Sequence, residues 1–164
     1  MSETKIEPYT GGCLCGAVRY EGREFQGAAY CHCRMCQQAA GGPFYAFAQF
    51  ARDSFRITGE PKWYRSSEIM DRGFCAACGT PLFVKYRIAK WSDWLIASIG
   101  SLDHPEAVPP QRHYGSESMI PWLEIADGLP RESYAERFIE KLLADDRANP
   151  DQGSAGFRVD ALED

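Results

Sequence analysis

A mainly β domain is the fold class this chain predicts, and three observations carry the prediction. Short runs of β-branched and aromatic residues recur between turn residues at intervals of about eight to twelve positions, the rhythm of antiparallel strands. Cysteines sit in close pairs and a triple, the spacing with which a small domain is clasped around metal. Helical periodicity shows clearly in one place, near the end of the chain. With 164 residues, 45% apolar and 13% aromatic, the chain can fill one core, so a single domain is expected over 1–148 with a polar tail over 149–164.

Taken in order, residues 5–9 and 17–21 read as short strands flanking Gly11-Gly12-Cys13-Leu14-Cys15-Gly16, whose glycines let the backbone turn around two thiols. Residues 25–30 lead into Cys31-His32-Cys33-Arg34-Met35-Cys36, and 37–43 reads as a loop closing on Pro43. Aromatic-rich 44–50 is a strand. Residues 55–57 and 62–65 are further strands divided by the Gly59-Glu60-Pro61 turn. Residues 69–74 run into Cys75-Ala76-Ala77-Cys78-Gly79, and 82–86 and 94–99 resume the sheet.

From 100 to 130 the chain is rich in Pro, Gly, Asp and His, with Trp122, Leu123 and Ile125 as apolar pegs. This predicts a long ordered loop laid over the sheet. Ser133-Tyr134-Ala135-Glu136 fits a capping box opening a helix over about 133–147, with Tyr134, Phe138, Ile139, Leu142 and Leu143 on one core-facing stripe. Asn149-Pro150 ends it.

Composition excludes several partners. The net charge is −5 and the 18 Lys and Arg are scattered, so the basic surface that nucleic acid requires is missing. No apolar run approaches the roughly 20 residues of a membrane span, and residues 1–8 lack the layout of a secretory signal. A soluble, cytoplasmic protein is expected. Seven Cys is an odd number for a disulfide framework, and Cys31 and Cys33 stand too close for an unstrained bridge. Exposed strand edges are compatible with a homodimer without requiring one.

Cys75-Ala76-Ala77-Cys78-Gly79 is a metal knuckle: thiolates three positions apart can face one ion, and the glycine frees the turn behind them. A tetrahedral zinc site needs four ligands, and Cys13 with Cys15 is the natural complement, closing a loop of roughly 60 residues. Such a clasp contributes folding free energy on the order of 10 kcal/mol in small zinc modules. The rival partition completes the knuckle with Cys31, Cys33 or Cys36. If the four-thiol clasp holds, these three remain, which is the ligand number of a catalytic zinc with an open position. His104 or His113 from the long loop would instead close that position and make a second structural site. His32, between two ligands of a C-x-C, should point away from the ion.

These motifs, in this order, resemble the glutathione-dependent formaldehyde-activating enzyme family. The resemblance rests on residues 11–16, 31–36, Phe74 to Thr80, Gly100-Ser101-Leu102-Asp103, Pro121-Trp122 and Asp127-Gly128-Leu129-Pro130. It implies a β-tent fold of packed antiparallel sheets and two zinc ions per chain. One is structural on Cys13, Cys15, Cys75 and Cys78; the other is catalytic on Cys31, Cys33 and Cys36. It also implies a carbon-sulfur lyase acting on a small thiol, glutathione in the family's founding activity, and an aldehyde, formaldehyde. The other class of function is a zinc-stabilised thiol- or protein-binding module without turnover.

For a lyase, the adduct oxygen needs a donor as it gains or loses charge, and His113, Arg34 and Ser101 are the candidates. Arg34, Lys62, Arg65 and Arg72 are the cations available for carboxylates of the thiol. Phe44, Tyr45, Phe47, Trp63 and Trp122 are available to line a cleft, although large aromatics mostly fill cores.

Overall fold

A computed structural model describes residues 7–134 and 138–150. Its elements follow the turn signals closely: β1 (Tyr9–Gly12), β2 (Arg19–Gly22), β3 (Phe25–Cys31), α1 (Arg34–Ala40), β4 (Tyr45–Ala51), β5 (Phe55–Thr58), β6 (Pro61–Arg65), β7 (Met70–Cys75), β8 (Pro81–Tyr86), β9 (Trp94–Ser98), β10 (His113–Tyr114), β11 (Arg131–Glu132) and α2 (Phe138–Ala148). Strands β1, β2 and β5 form one sheet. The other eight form a second in the order β11-β10-β3-β4-β9-β8-β7-β6. Pairing is antiparallel except where β10 lies parallel to β3 and β11 parallel to β10. The mainly β class with a helix near the C-terminus is what the chain adopts.

The large sheet has two apolar faces, and side-chain alternation assigns them different work. Along β4, Ala46, Ala48 and Phe50 point toward the small sheet, where Tyr20, Phe55 and Ile57 meet them together with Leu82, Phe83, Leu95 and Ala97. Rings interlock there: Tyr20 stacks on Phe55 at 5.1 Å and meets Phe83 edge-on at 5.2 Å, and Phe50 lies 5.4 Å from Phe55. On the alternate positions Tyr45 and Phe47 face the other way, and Tyr45 packs with Val84, Ile96, Cys31 and Cys36. One face therefore holds the domain together and the opposite face carries the Cys31 cluster.

Several elements differ from the sequence expectation. Strand β1 covers Tyr9–Gly12 where a strand is expected over 5–9, so Gly11 and Gly12 pair with β2 and the turn around the thiols begins after them, and β11 is an added two-residue strand. Residues 34–40 form a helix where a loop is expected over 37–43; at seven residues it is too short for a visible period, and Gly41, at φ 65°, caps it by donating its N–H to Gln37 O. The stretch 100–130 is a long connection broken by short 3-10 turns, but it also supplies β10 to the large sheet. Ser133 and Tyr134 precede α2 as irregular backbone, and Ala135 and Glu136 of the expected capping box lie outside the described residues. Leu142 is buried against Ile69 and Ile88, with Leu143 beside them. The side chains of Phe138 and Ile139, and the tail from 151 onward, also lie outside the described residues.

Candidate metal centres

The seven thiols fall into a group of four and a group of three, each with its sulfurs within 4.8 Å of one another. The rival partition, with the 31–36 thiols completing the knuckle, is not the arrangement found. No disulfide links any of the seven.

The group of four joins the two sheets. Cys13 and Cys15 stand in the turn between β1 and β2; Cys75 ends β7, and Cys78 stands in the turn before β8. Cys13 Sγ lies 3.5 Å from Cys15 Sγ, which lies 3.8 Å from Cys75 Sγ. Gly79, at φ +75°, closes the knuckle through its N–H to Cys75 O at 2.9 Å, a backbone that a Cβ disfavours. Val18 N–H donates to Cys13 Sγ at 3.2 Å. Thr80 bridges the two halves: Leu14 N–H donates to its hydroxyl at 3.1 Å, and the hydroxyl lies 3.1 Å from Cys78 Sγ. Those Thr80 contacts, side chain first and backbone second, push the Cys78 thiol down to about 5. Four convergent thiols with donors behind them suit a closed tetrahedral ion.

The group of three sits where β3 gives way to α1. Cys31 ends β3, Cys33 is the residue that opens α1, and Cys36 lies in its first turn. Cys31 and Cys33 sulfurs are 3.4 Å apart. A helix start at the C-x-x-C segment, which the sequence did not signal, is thus present. Hydrogen bonding from Cys31 and then Cys36 pulls the Cys33 thiol down to about 3, while the same crowding pushes Cys31 far upward. Three sulfurs held this close want a cation between them. Among the described residues no His, Asp or Glu joins the group.

The expected fourth-ligand candidates lie elsewhere. His104 is exposed and pairs with Glu106 at 3.1 Å. His113 is fully buried, its Nδ1 2.8 Å from His32 Nε2 and its Nε2 2.9 Å from Asp127 Oδ2. With Asp127 ionised, His113 donates from Nε2 and accepts at Nδ1 from His32 Nε2–H, leaving His32 Nδ1 bare; that atom is buried without a partner. His32 does turn aside from the thiol group. The Asp127-His113-His32 chain ties the long connection to the backbone between two of the three thiols. Gln37 adds a clamp, donating to His32 O at 2.7 Å and Ser118 O at 2.9 Å. Gly115 completes it: at φ +65°, a Cβ there would sit 2.9 Å from Cys33 N.

The oxyanion-donor candidates are dispersed. Ser101 donates to Ser98 O at 2.7 Å and meets Tyr20 OH at 2.8 Å, on the small-sheet side. Arg34 is bonded to Gln37 Oε1. Arg72, considered from sequence only as a carboxylate partner, is instead at the thiols: Nη2 donates to Cys36 Sγ at 3.4 Å, and the guanidinium lies over the Tyr45 ring at 5.7 Å. Beside it opens a cleft of about 630 Å³ whose lining includes Met35 and Gln38 of α1, Tyr45, Lys62, Trp63 and Arg72. Arg65 bonds to Ser67 O outside this lining, and Trp122 is an exposed surface residue. Phe44 packs on Tyr30 and His32.

Sequence comparison adds two findings. Residues 8–117 match the family described as glutathione-dependent formaldehyde-activating enzyme. A protein of Schizosaccharomyces pombe named as an uncharacterized lyase is 34% identical over 83 residues, covering 50% of this chain and 61% of that protein. The chain thus aligns with about three fifths of that relative's length.

Proposed function

The chain belongs to the glutathione-dependent formaldehyde-activating enzyme family, and on that premise we propose that it is a zinc-dependent carbon-sulfur lyase, joining a small thiol to an aldehyde or splitting their adduct at Cys31, Cys33 and Cys36. One observation carries the reading: three convergent thiols lacking a fourth protein ligand among the described residues, packed against Tyr45 and bonded by Arg72, both of which line a cleft, in a protein whose other four thiols form a complete set. Cys13, Cys15, Cys75 and Cys78 would hold a structural zinc, and Cys31, Cys33 and Cys36 a second with one position open to a substrate sulfur.

Bound zinc would supply a lowered pKa for the substrate thiol, so that it reacts as thiolate near neutral pH. The chain's own residues do the rest. The Asp127-His113-His32 chain and the Gln37 clamp fix the backbone that carries the ligands, and the cleft offers Lys62 and Arg72 with no carboxylate among its lining residues. Glutathione and formaldehyde are the pair proposed, on the family's description. Seven unbridged thiols suit a reducing compartment, and we place the protein in the cytoplasm; no helix among the described residues is long and apolar enough to cross a membrane.

The test incubates zinc-loaded protein with glutathione and formaldehyde and follows adduct formation against the uncatalysed background. Acceleration that disappears in Cys33→Ser, together with one zinc equivalent and with the fold retained, is the expected result. No acceleration from a sample holding two zinc equivalents would reject this substrate pair and leave a thiol-binding module as the function. Unfolding of Cys33→Ser would make the second cluster structural.

A further inference from the structure

Arg72 holds a position that structural packing alone does not account for. Cross-strand register places it opposite Tyr64 on one side and Val84 on the other, which aims it at the face carrying Cys36. Its Nη2 reaches Cys36 Sγ at 3.4 Å and lies 3.7 Å from Met70 Sδ. Its Nε is buried with no hydrogen-bond partner. Among the described residues no carboxylate neutralises it, because the adjacent Asp71 is taken by Lys85 at 3.7 Å and Arg87 at 3.3 Å. A permanently charged, partly buried guanidinium without a carboxylate beside it is costly, and native structures rarely leave one without an acceptor in the working state. It also lines the cleft together with Met35, the chain neighbour of Cys36, and Tyr45, which packs with Cys31 and Cys36.

Resting on the lyase reading above, we propose that Arg72 is a catalytic residue: Nη2 steadies Cys36, and the guanidinium, from the side of the residue that lines the cleft, donates to the oxygen of the substrate's reacting carbon. In the joining direction the substrate sulfur's lone pair forms the C–S bond, the carbonyl π pair moves onto oxygen, and that oxygen takes a proton from water. In the splitting direction the oxygen's proton returns to water, the C=O bond re-forms, and the C–S pair leaves on sulfur. The guanidinium keeps its own protons throughout, so it serves as a fixed donor to the developing oxyanion and not as an acid. Its planar fork aims donors at a sulfur and an oxygen in fixed directions, whereas a lysine ammonium is a point charge without that fixed geometry.

Arg72→Gln, Arg72→Lys and Arg72→Ala test this on the zinc-loaded protein. Each variant is expected to hold two zinc equivalents. Adduct formation should fall about 10²–10³-fold in Arg72→Gln, and millimolar guanidinium should restore part of the rate in Arg72→Ala without affecting wild type. Arg72→Gln within threefold of wild type, an Arg72→Ala defect that guanidinium leaves untouched, or loss of the second zinc in all three variants would overturn the assignment. A second readout does not depend on turnover: thiols titrated onto the cobalt-substituted protein and followed by the sulfur-to-cobalt absorption. Arg72→Gln should weaken 2-mercaptoethanol, which carries a nearby oxygen, by about tenfold and leave ethanethiol unchanged. Equal effects on the two thiols, or none, would also overturn it. If wild type titrates thiol but does not turn over, the lyase reading fails while this comparison still judges Arg72.

Discussion

Replacing His113 by Ala separates two roles that one buried histidine can play. The ring is fully buried and both its nitrogens are engaged, by His32 and Asp127. It also stacks on Tyr30 at 5.0 Å. Removing it strands the buried His32 Nε2–H, which costs about 1–3 kcal/mol, and leaves a void beside Tyr30 worth about another 1–2 kcal/mol. Asp127, its side chain 26% exposed and still bonded to Leu129 N–H, rehydrates and adds little. The sum is about 2–5 kcal/mol, so at a urea dependence of about 2 kcal/mol per M the midpoint should fall by about 1–2.5 M. Because His32 lies between two ligand thiols, metal at the three-thiol site should also loosen, on the order of 10–100-fold. The Asp127→Ala and His113→Ala costs should combine to less than their sum, since the two residues share one bond. A midpoint within about 0.3 M of wild type with activity abolished would refute this reasoning and put His113 in direct contact with substrate.

Other predictions follow from single contacts. Thr80→Val removes the hydroxyl that heads the causes holding the Cys78 thiol down at about 5. A thiol whose pKa rises meets proton competition for metal at higher pH, so zinc release from the four-thiol group, followed with a chromophoric chelator as pH is lowered, should begin at higher pH than in wild type, with affinity near pH 6 reduced about tenfold or more. Gly115→Ala must accept φ +65° and a Cβ 2.9 Å from Cys33 N; a loss of about 1–2 kcal/mol in thermal or urea unfolding is expected, with zinc content falling at the three-thiol site first. Phe50→Ala empties the ring cluster between the sheets, where Phe50 is 0% exposed, and should cost about 3–5 kcal/mol by denaturant unfolding while leaving the stoichiometry of both metal sites unchanged in the folded protein.

How far the fold could be read from the sequence depended on how local its signals are. Strands β4, β8 and β9 announce themselves as short apolar runs, and the Gly59-Glu60-Pro61 turn places the break between β5 and β6 correctly. Helix α1 does not announce itself: seven residues give under two turns of period, and its Gly41-Gly42-Pro43 ending reads equally well as loop. Strand β10 is two residues long, and its parallel pairing with β3 joins His113 to Tyr30 across 83 positions of chain. No periodicity encodes such a pair.

The sites divide on the same line. The sulfurs were countable: pairs at 13 and 15 and at 75 and 78, then a triple at 31, 33 and 36, leave few ways to satisfy tetrahedral geometry, and the fold brings the two groups together as counted. What surrounds the triple was not countable. Arg72 reaches Cys36 because a strand register puts Tyr64, Arg72 and Val84 in one row, a relation between β6, β7 and β8 that no one of those segments contains. In the sequence, Arg72 is one of four cations available for a thiol's carboxylates. In the fold the four part company: Arg34 is bound to Gln37, Arg65 to Ser67 O, Lys62 lines the cleft, and Arg72 alone among these four touches a thiol. Residue chemistry thus specifies where metal can bind, while sheet register decides which charge stands over it, and the second decision is the one that should set what the open position accepts.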